Sequence, residues 1–157
     1  MWSELLNALE LKVPPFALMW LFAVLMWLAS AYSSLTVALP WRDAIGLMFC
    51  GVGLAIALAG ALSFRQAKTT VNPLTPEATT AMVTSGIYRF SRNPMYLGFF
   101  LALVGWATYL SHVLAFALLP LFVLYINRFQ ILPEERVLSE KFPHSFAAYR
   151  DSVHRWL

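Results

Sequence analysis

Charge is what this sequence most lacks. Asp, Glu, Lys and Arg make up 12% of its 157 residues, while 60% are hydrophobic. A soluble domain of this size cannot cover its surface with so little charge. Cysteine is nearly absent. Cys50 stands alone, so no intrachain disulfide can form and no cysteine-based zinc or iron–sulfur site can be assembled. His112, His144 and His154 are too scattered to suggest any other metal site. The apolar stretches are continuous rather than alternating, which argues against a transmembrane barrel.

What is present is long uncharged runs, at 13–41, 44–64 and 93–127. A membrane-crossing helix needs about 20 mainly apolar residues. The runs therefore predict one, one and two helices, at about 14–36, 43–64, 94–110 and 112–132. The expected fold is a single all-α integral membrane domain over 1–157. It has four spans, a helical hairpin in its C-terminal half, and a cytoplasmic tail over 133–157 with one or two helices broken near Pro143.

Four spans return both termini to one side. That side carries Lys12, Arg65, Lys68, Arg89, Arg92, Arg128, Arg136, Lys141, Arg150 and Arg155, and the other only Arg42. The bias predicts that both termini and the 65–93 loop are cytoplasmic, with a bacterial or archaeal inner membrane as the expected location. The net charge of +3 follows from this topology and suits anionic lipid, not nucleic acid. Ala29-Ser30-Ala31 resembles a signal-peptide cleavage site. Glu4, Glu10 and the length of the apolar run oppose that reading, so a retained anchor is expected.

Smaller features complete the outline. Residues 1–12 read as a short interfacial helix or as a frayed end. Gly51-Val52-Gly53 and Gly60 in the second span read as packing positions. A dinucleotide fingerprint would need a preceding strand and a third glycine. Thr75-Pro76-Glu77 predicts a helix start, with a short helix over 76–84. The hairpin is expected to turn at Ser111-His112, and Pro120 to kink the last span.

One cluster stands out. Arg92-Asn93-Pro94-Met95-Tyr96-Leu97-Gly98 opens the hairpin and Glu134-Glu135 follows its end. Each piece has an ordinary reading: Arg92 as a lipid-phosphate anchor, Asn93-Pro94 as a helix start, Tyr96 as an interfacial aromatic, Gly98 as packing, and the two acids at a helix N-terminus. Taken singly, those readings are the more frequent. The hairpin, however, returns all of them to one membrane face, and the loop adds Asn72, Tyr88 and Arg89. An arginine, amides, phenols and two acids together suit a zwitterionic small molecule.

The segment resembles the integral membrane methyltransferase family of isoprenylcysteine carboxyl methyltransferases and phospholipid N-methyltransferases. Its signature is Arg-His-Pro-x-Tyr-x-Gly, then Glu-Glu one hairpin later. Arg92, Pro94, Tyr96, Gly98, Glu134 and Glu135 match it. Ser85-Gly86-Ile87-Tyr88 upstream, and Leu138, Phe142 and Tyr149-Arg150 downstream, fit the same context. The similarity covers about 65–157. Asn93 replaces the histidine of the carboxyl methyltransferases and is similar to the phospholipid branch, in which Gly51-Val52-Gly53 would correspond to a cofactor-proximal Gly-x-Gly.

The resemblance implies S-adenosylmethionine as cofactor, held by Tyr88, Arg92, Asn93, Tyr96, Gly98, Glu134 and Glu135. Asn72, Arg89 and Arg128 are the candidates for the acceptor. That acceptor is a lipid-phase or membrane-associated molecule: a phospholipid amine, a prenylcysteine-like carboxylate or a thiol. No catalytic base is assigned. Two alternatives stay open, a non-catalytic lipid-binding or assembly module and a membrane reductase of related architecture.

Overall fold

The computed structural model describes residues 10–67 and 82–157. Six helices organise them: α1 (Pro15–Tyr32), α2 (Arg42–Gln66), α3 (Pro94–Leu110), α4 (Val113–Ile126), α5 (Leu132–Lys141) and α6 (Pro143–Ser152). A 3-10 turn at Gly86–Arg89 precedes α3, and a π turn at Asn127–Ile131 joins α4 to α5. Pro15, Pro94 and Pro143 each open a helix, where a missing N–H costs nothing.

The fold is all-α and built for a membrane. Pro15–Tyr32, Arg42–Gln66 and Val113–Lys141 are long and apolar enough to cross one. α3 is shorter, at 17 residues, about 25 Å of helix. It is also the central element, packing against α1, α2 and α4. Leu18, Phe22 and Met26 of α1 meet Leu103 and Ala107 of α3 and Ala115, Leu119 and Phe122 of α4 in one buried cluster. Phe22 and Phe122 pack edge to face at 5.4 Å, and the Trp106 indole donates to the Ala23 carbonyl at 3.0 Å.

The α2–α3 seam is of another kind. Gly46, Gly53 and Gly60 lie seven residues apart on α2; Gly46 faces Gly105 of α3, Gly53 faces Gly98, and Gly60 faces Met95. A Cβ at Gly53 would stand 2.5 Å from the Gly98 carbonyl oxygen, and one at Gly105 would stand 2.5 Å from that of Gly46. Backbone meets backbone, as small residues allow where lipid removes any hydrophobic drive between helices. Gly51 has open space around it, and nothing in the structure explains it.

At the end of the bundle where the hairpin turns, Ser111 adopts a left-handed conformation (φ 51°) and the His112 ring accepts from the Leu114 N–H. The chain after α1 does not stay helical to residue 36. It runs extended from Ser33, and its backbone bonds this turn, Val37 N–H to Ser111 O at 2.8 Å and Val113 N–H to Leu35 O at 3.0 Å.

Pro120 does not end α4, which runs on to Ile126. Beyond it the helix widens into the π turn. In an unbroken helix the residue-133 N–H would serve the Phe129 carbonyl, but Pro133 has none. The Leu11 N–H takes that carbonyl instead, at 3.0 Å. The interfacial helix expected over 1–12 lies mostly outside the described residues, and Glu10-Leu11 forms a turn. The helix expected over 76–84 also lies largely outside them, and its last positions, 82–84, are not helical.

Candidate active site at the Arg92–Glu135 junction

The residues that enter α3 and those that enter α5 converge at one end of the bundle, and the chain after α6 closes over them. Ser91-Arg92-Asn93 leads into α3. Asn93 occupies the cap position, yet its side chain makes no cap bond. Its amide nitrogen reaches out to the Arg155 carbonyl at 3.0 Å. The Arg92 N–H donates to the His154 carbonyl at 3.0 Å, and the Ser91 hydroxyl to the Arg155 carbonyl at 3.4 Å.

Arg92 is the hub. One terminal nitrogen donates to the carbonyls of Arg150 and Val153, both at 2.9 Å, and the other to Glu135 Oε1 at 2.9 Å. The Arg92 and Glu135 side chains are only 10% and 16% exposed. A second guanidinium, Arg155, grips both oxygens of Glu135, at 3.2 and 2.6 Å. Two cations on one largely buried carboxylate, with the Arg150 and Val153 carbonyls taking two more protons of Arg92, offset much of the desolvation cost. The Arg92 Nε is buried without a partner.

Glu134 is treated differently. Tyr96, on the first turn of α3, donates its phenol to Glu134 Oε1. Among the described residues no cation pairs with Glu134. Tyr88 lies close by, held by an edge-to-face contact with Phe64 of α2 at 5.3 Å. Its carbonyl accepts from the Tyr149 hydroxyl at 2.6 Å. Burial pushes the Tyr88 phenol far above its ordinary range, and the Glu134 carboxylate adds to this. Burial also raises Tyr149, to about 12, against the pull of Arg92. Both phenols are therefore neutral donors or acceptors. Gly86, at φ +62°, makes the left-handed turn that starts this 3-10 segment.

The remaining residues singled out in the sequence divide clearly. Tyr88, Arg92, Asn93, Tyr96, Glu134 and Glu135 come together. Gly98 lies one turn further along α3, against the Gly53 carbonyl and Ala57. Arg89 is exposed. Arg128 pairs with Glu10. Asn72 is outside the described residues. Sequence reasoning missed Arg155, and also Trp156, whose indole donates to Asn127 Oδ1 at 3.2 Å while packing near Phe100.

A family model described as phospholipid methyltransferase matches residues 41–145, more than half of the chain. The match spans α2 to the start of α6 and so includes Arg92, Tyr96 and both glutamates. An uncharacterized protein of Haemophilus influenzae is 41% identical over 63 residues, which are 40% of this chain and the whole of that protein. No solved structure matches. An apolar helical bundle, the Arg-x-Pro-x-Tyr-x-Gly and Glu-Glu elements joined at one of its ends, and the extent of the match agree: the chain belongs to the phospholipid methyltransferase family.

Proposed function

We propose that this protein transfers a methyl group from S-adenosylmethionine to a lipophilic or membrane-associated acceptor. The observation that carries the reading is the contrast between its two adjacent acids. Glu135 is satisfied by Arg92 and Arg155, whereas Glu134, among the described residues, bonds a neutral phenol and no cation. A half-buried carboxylate in that position suits the positive charge of a ligand. S-adenosylmethionine, an ammonium and a sulfonium on one molecule, fits this donor set.

Bound there, the cofactor supplies a methyl group already activated on a sulfonium. The chain's part is to bind, orient and exclude water. Glu134 and Tyr96 hold the cationic ligand. Tyr88 presents an aromatic wall and a neutral hydroxyl. The Arg92–Glu135–Arg155 cluster locks the entry of α3 to the entry of α5, so that these groups stay in register. Asn93 can donate and accept hydrogen bonds but cannot titrate near neutral pH. Its presence favours a phospholipid amine over a prenylcysteine-like carboxylate. The concentration of Lys and Arg at this end favours a cytoplasmic site, with the acceptor arriving from the bilayer.

Calorimetry on the purified protein in lipid nanodiscs tests the reading. S-adenosylmethionine and its demethylated product are expected to bind. Absence of binding by both at millimolar concentration refutes the proposal. Transfer of labelled methyl into a total membrane extract then identifies the acceptor by its labelled product.

A further inference from the structure

The segment Glu10–Val13 makes a set of bonds that the site does not use directly. Glu10 pairs with two arginines, Arg128 in the π turn and Arg136 in α5, the latter at 3.3 Å. The Leu11 N–H donates to the Phe129 carbonyl at 3.0 Å. The Val13 carbonyl accepts from Gln130 Nε2 at 2.8 Å. Burial opposes ionisation of Glu10, but hydrogen bonds and charge from Arg128 and Arg136 outweigh it and hold the carboxyl below its usual range. Leu11 has φ 56°, a left-handed conformation that is unfavourable for a non-glycine residue. That strain persists because these bonds hold it.

Every one of these contacts falls on 128–136, the stretch that runs from within the π turn through Glu134 and Glu135. At the π turn the Leu132 N–H bonds back to Asn127, five residues away. One extra residue in a helix rotates everything beyond it by about 100°. The register of the π turn thus decides which way the two glutamates face. π turns inside helices tend to occur at functional sites.

We propose that Glu10–Val13 is a strap that holds the π turn in its wide register and so sets the direction of Glu134 and Glu135, which makes Glu10 a positioning residue for methyl transfer. The inference rests on the methyltransferase reading for its consequence, though not for its mechanics. Pro133 creates the need by withholding a donor from Phe129, and Leu11 meets it from the other end of the chain. Gln130 and the two arginines prevent the strap from sliding.

Two measurements on Glu10→Gln, and on the milder Arg136→Gln at an exposed position, separate the possibilities. Backbone hydrogen exchange over 128–136 is expected to quicken in both variants, while the α2–α3 seam stays protected. Affinity for the demethylated cofactor is expected to fall about tenfold in Glu10→Gln, and the double variant to be no worse than Glu10→Gln alone. Unchanged exchange over 128–136 overturns the strap, whatever the cofactor does. Faster exchange with unchanged affinity overturns the positioning role. Failure of the native protein to bind cofactor, with exchange still responding, refutes the methyltransferase reading and leaves the strap standing.

Discussion

α3 has two kinds of neighbour, and they are held by opposite means. Along its length, α2 is held by shape, through glycines that let backbones touch. At its entry, the chain after α6 is held by charge and directed bonds, centred on Arg92. The first contact is tolerant of chemistry and intolerant of volume. The second tolerates volume and depends on having a planar cation with several donors. A lipid environment explains the division. Deep in the bilayer an unmatched polar group is costly, so close packing is used. At the boundary, polar groups can be satisfied one by one.

This contrast can be broken in order of expected effect. Arg92→Ala leaves Glu135 with Arg155 alone and strips donors from the Arg150 and Val153 carbonyls. Breaking a buried pair in this way costs about 3–5 kcal/mol, and thermal unfolding in detergent is expected to show the largest loss of any single change discussed. Arg92→Lys is expected to recover only part of it, because an ammonium cannot reach Glu135 and two carbonyls with the same planar fork.

Gly53→Ala comes next. Its Cβ would meet backbone on α3, at a cost of about 1–3 kcal/mol. Gly51→Ala, two residues away in open space, is expected to change stability by no more than about 0.5 kcal/mol. Equal effects at the two positions would remove the close-packed seam from the account.

Glu134→Gln tests the site rather than the scaffold. The amide still accepts from Tyr96, so stability is expected to stay near native. Affinity for S-adenosylmethionine is expected to fall about tenfold or more, since a charge-assisted bond is worth about 1.5–3 kcal/mol. Cofactor titration alongside a melting curve reads both.

The smallest effect concerns pH. Glu10 has a lowered folded-state pKa, so its contribution is present above the unfolded value and lost as pH falls through the folded one. The stability gap between native protein and Glu10→Gln is expected to be constant near neutral pH. It should shrink only below about 4.5, the ordinary value for this group. A gap that closes already near pH 6 would contradict the pairing with Arg128 and Arg136.

The helices were legible in the sequence because uncharged runs of span length leave few alternatives, and the hairpin because two spans filled a single run. The cluster of Arg92, Tyr96 and the two glutamates was legible as a motif brought to one face by that hairpin. Other features were hidden for physical reasons. The carbonyls of Arg150, Val153 and Arg155 carry no sequence signal, since every residue has one. Arg92 looked ready for a ligand's carboxylate, yet the chain's own Glu135 occupies it. The glycine spacing was half seen: Gly53 and Gly60 were noticed, but Gly46 and Gly105 complete the seven-residue pattern. The pairing of Glu10 with Arg128 joins positions too distant along the chain for any local pattern to reveal.

The closing of the chain after α6 over Arg92 also fixes an order of events during biosynthesis. Domains form as the chain emerges, N-terminal parts first, and α1 to α4 can enter the bilayer while later residues are still being made. Arg92, however, waits for Arg150, Val153 and His154 to appear before its backbone and side chain are satisfied. Until translation passes residue 155, Glu135 has lost one of its two cations. A chain interrupted before that point would keep its helices and lack the bonds that close over Arg92.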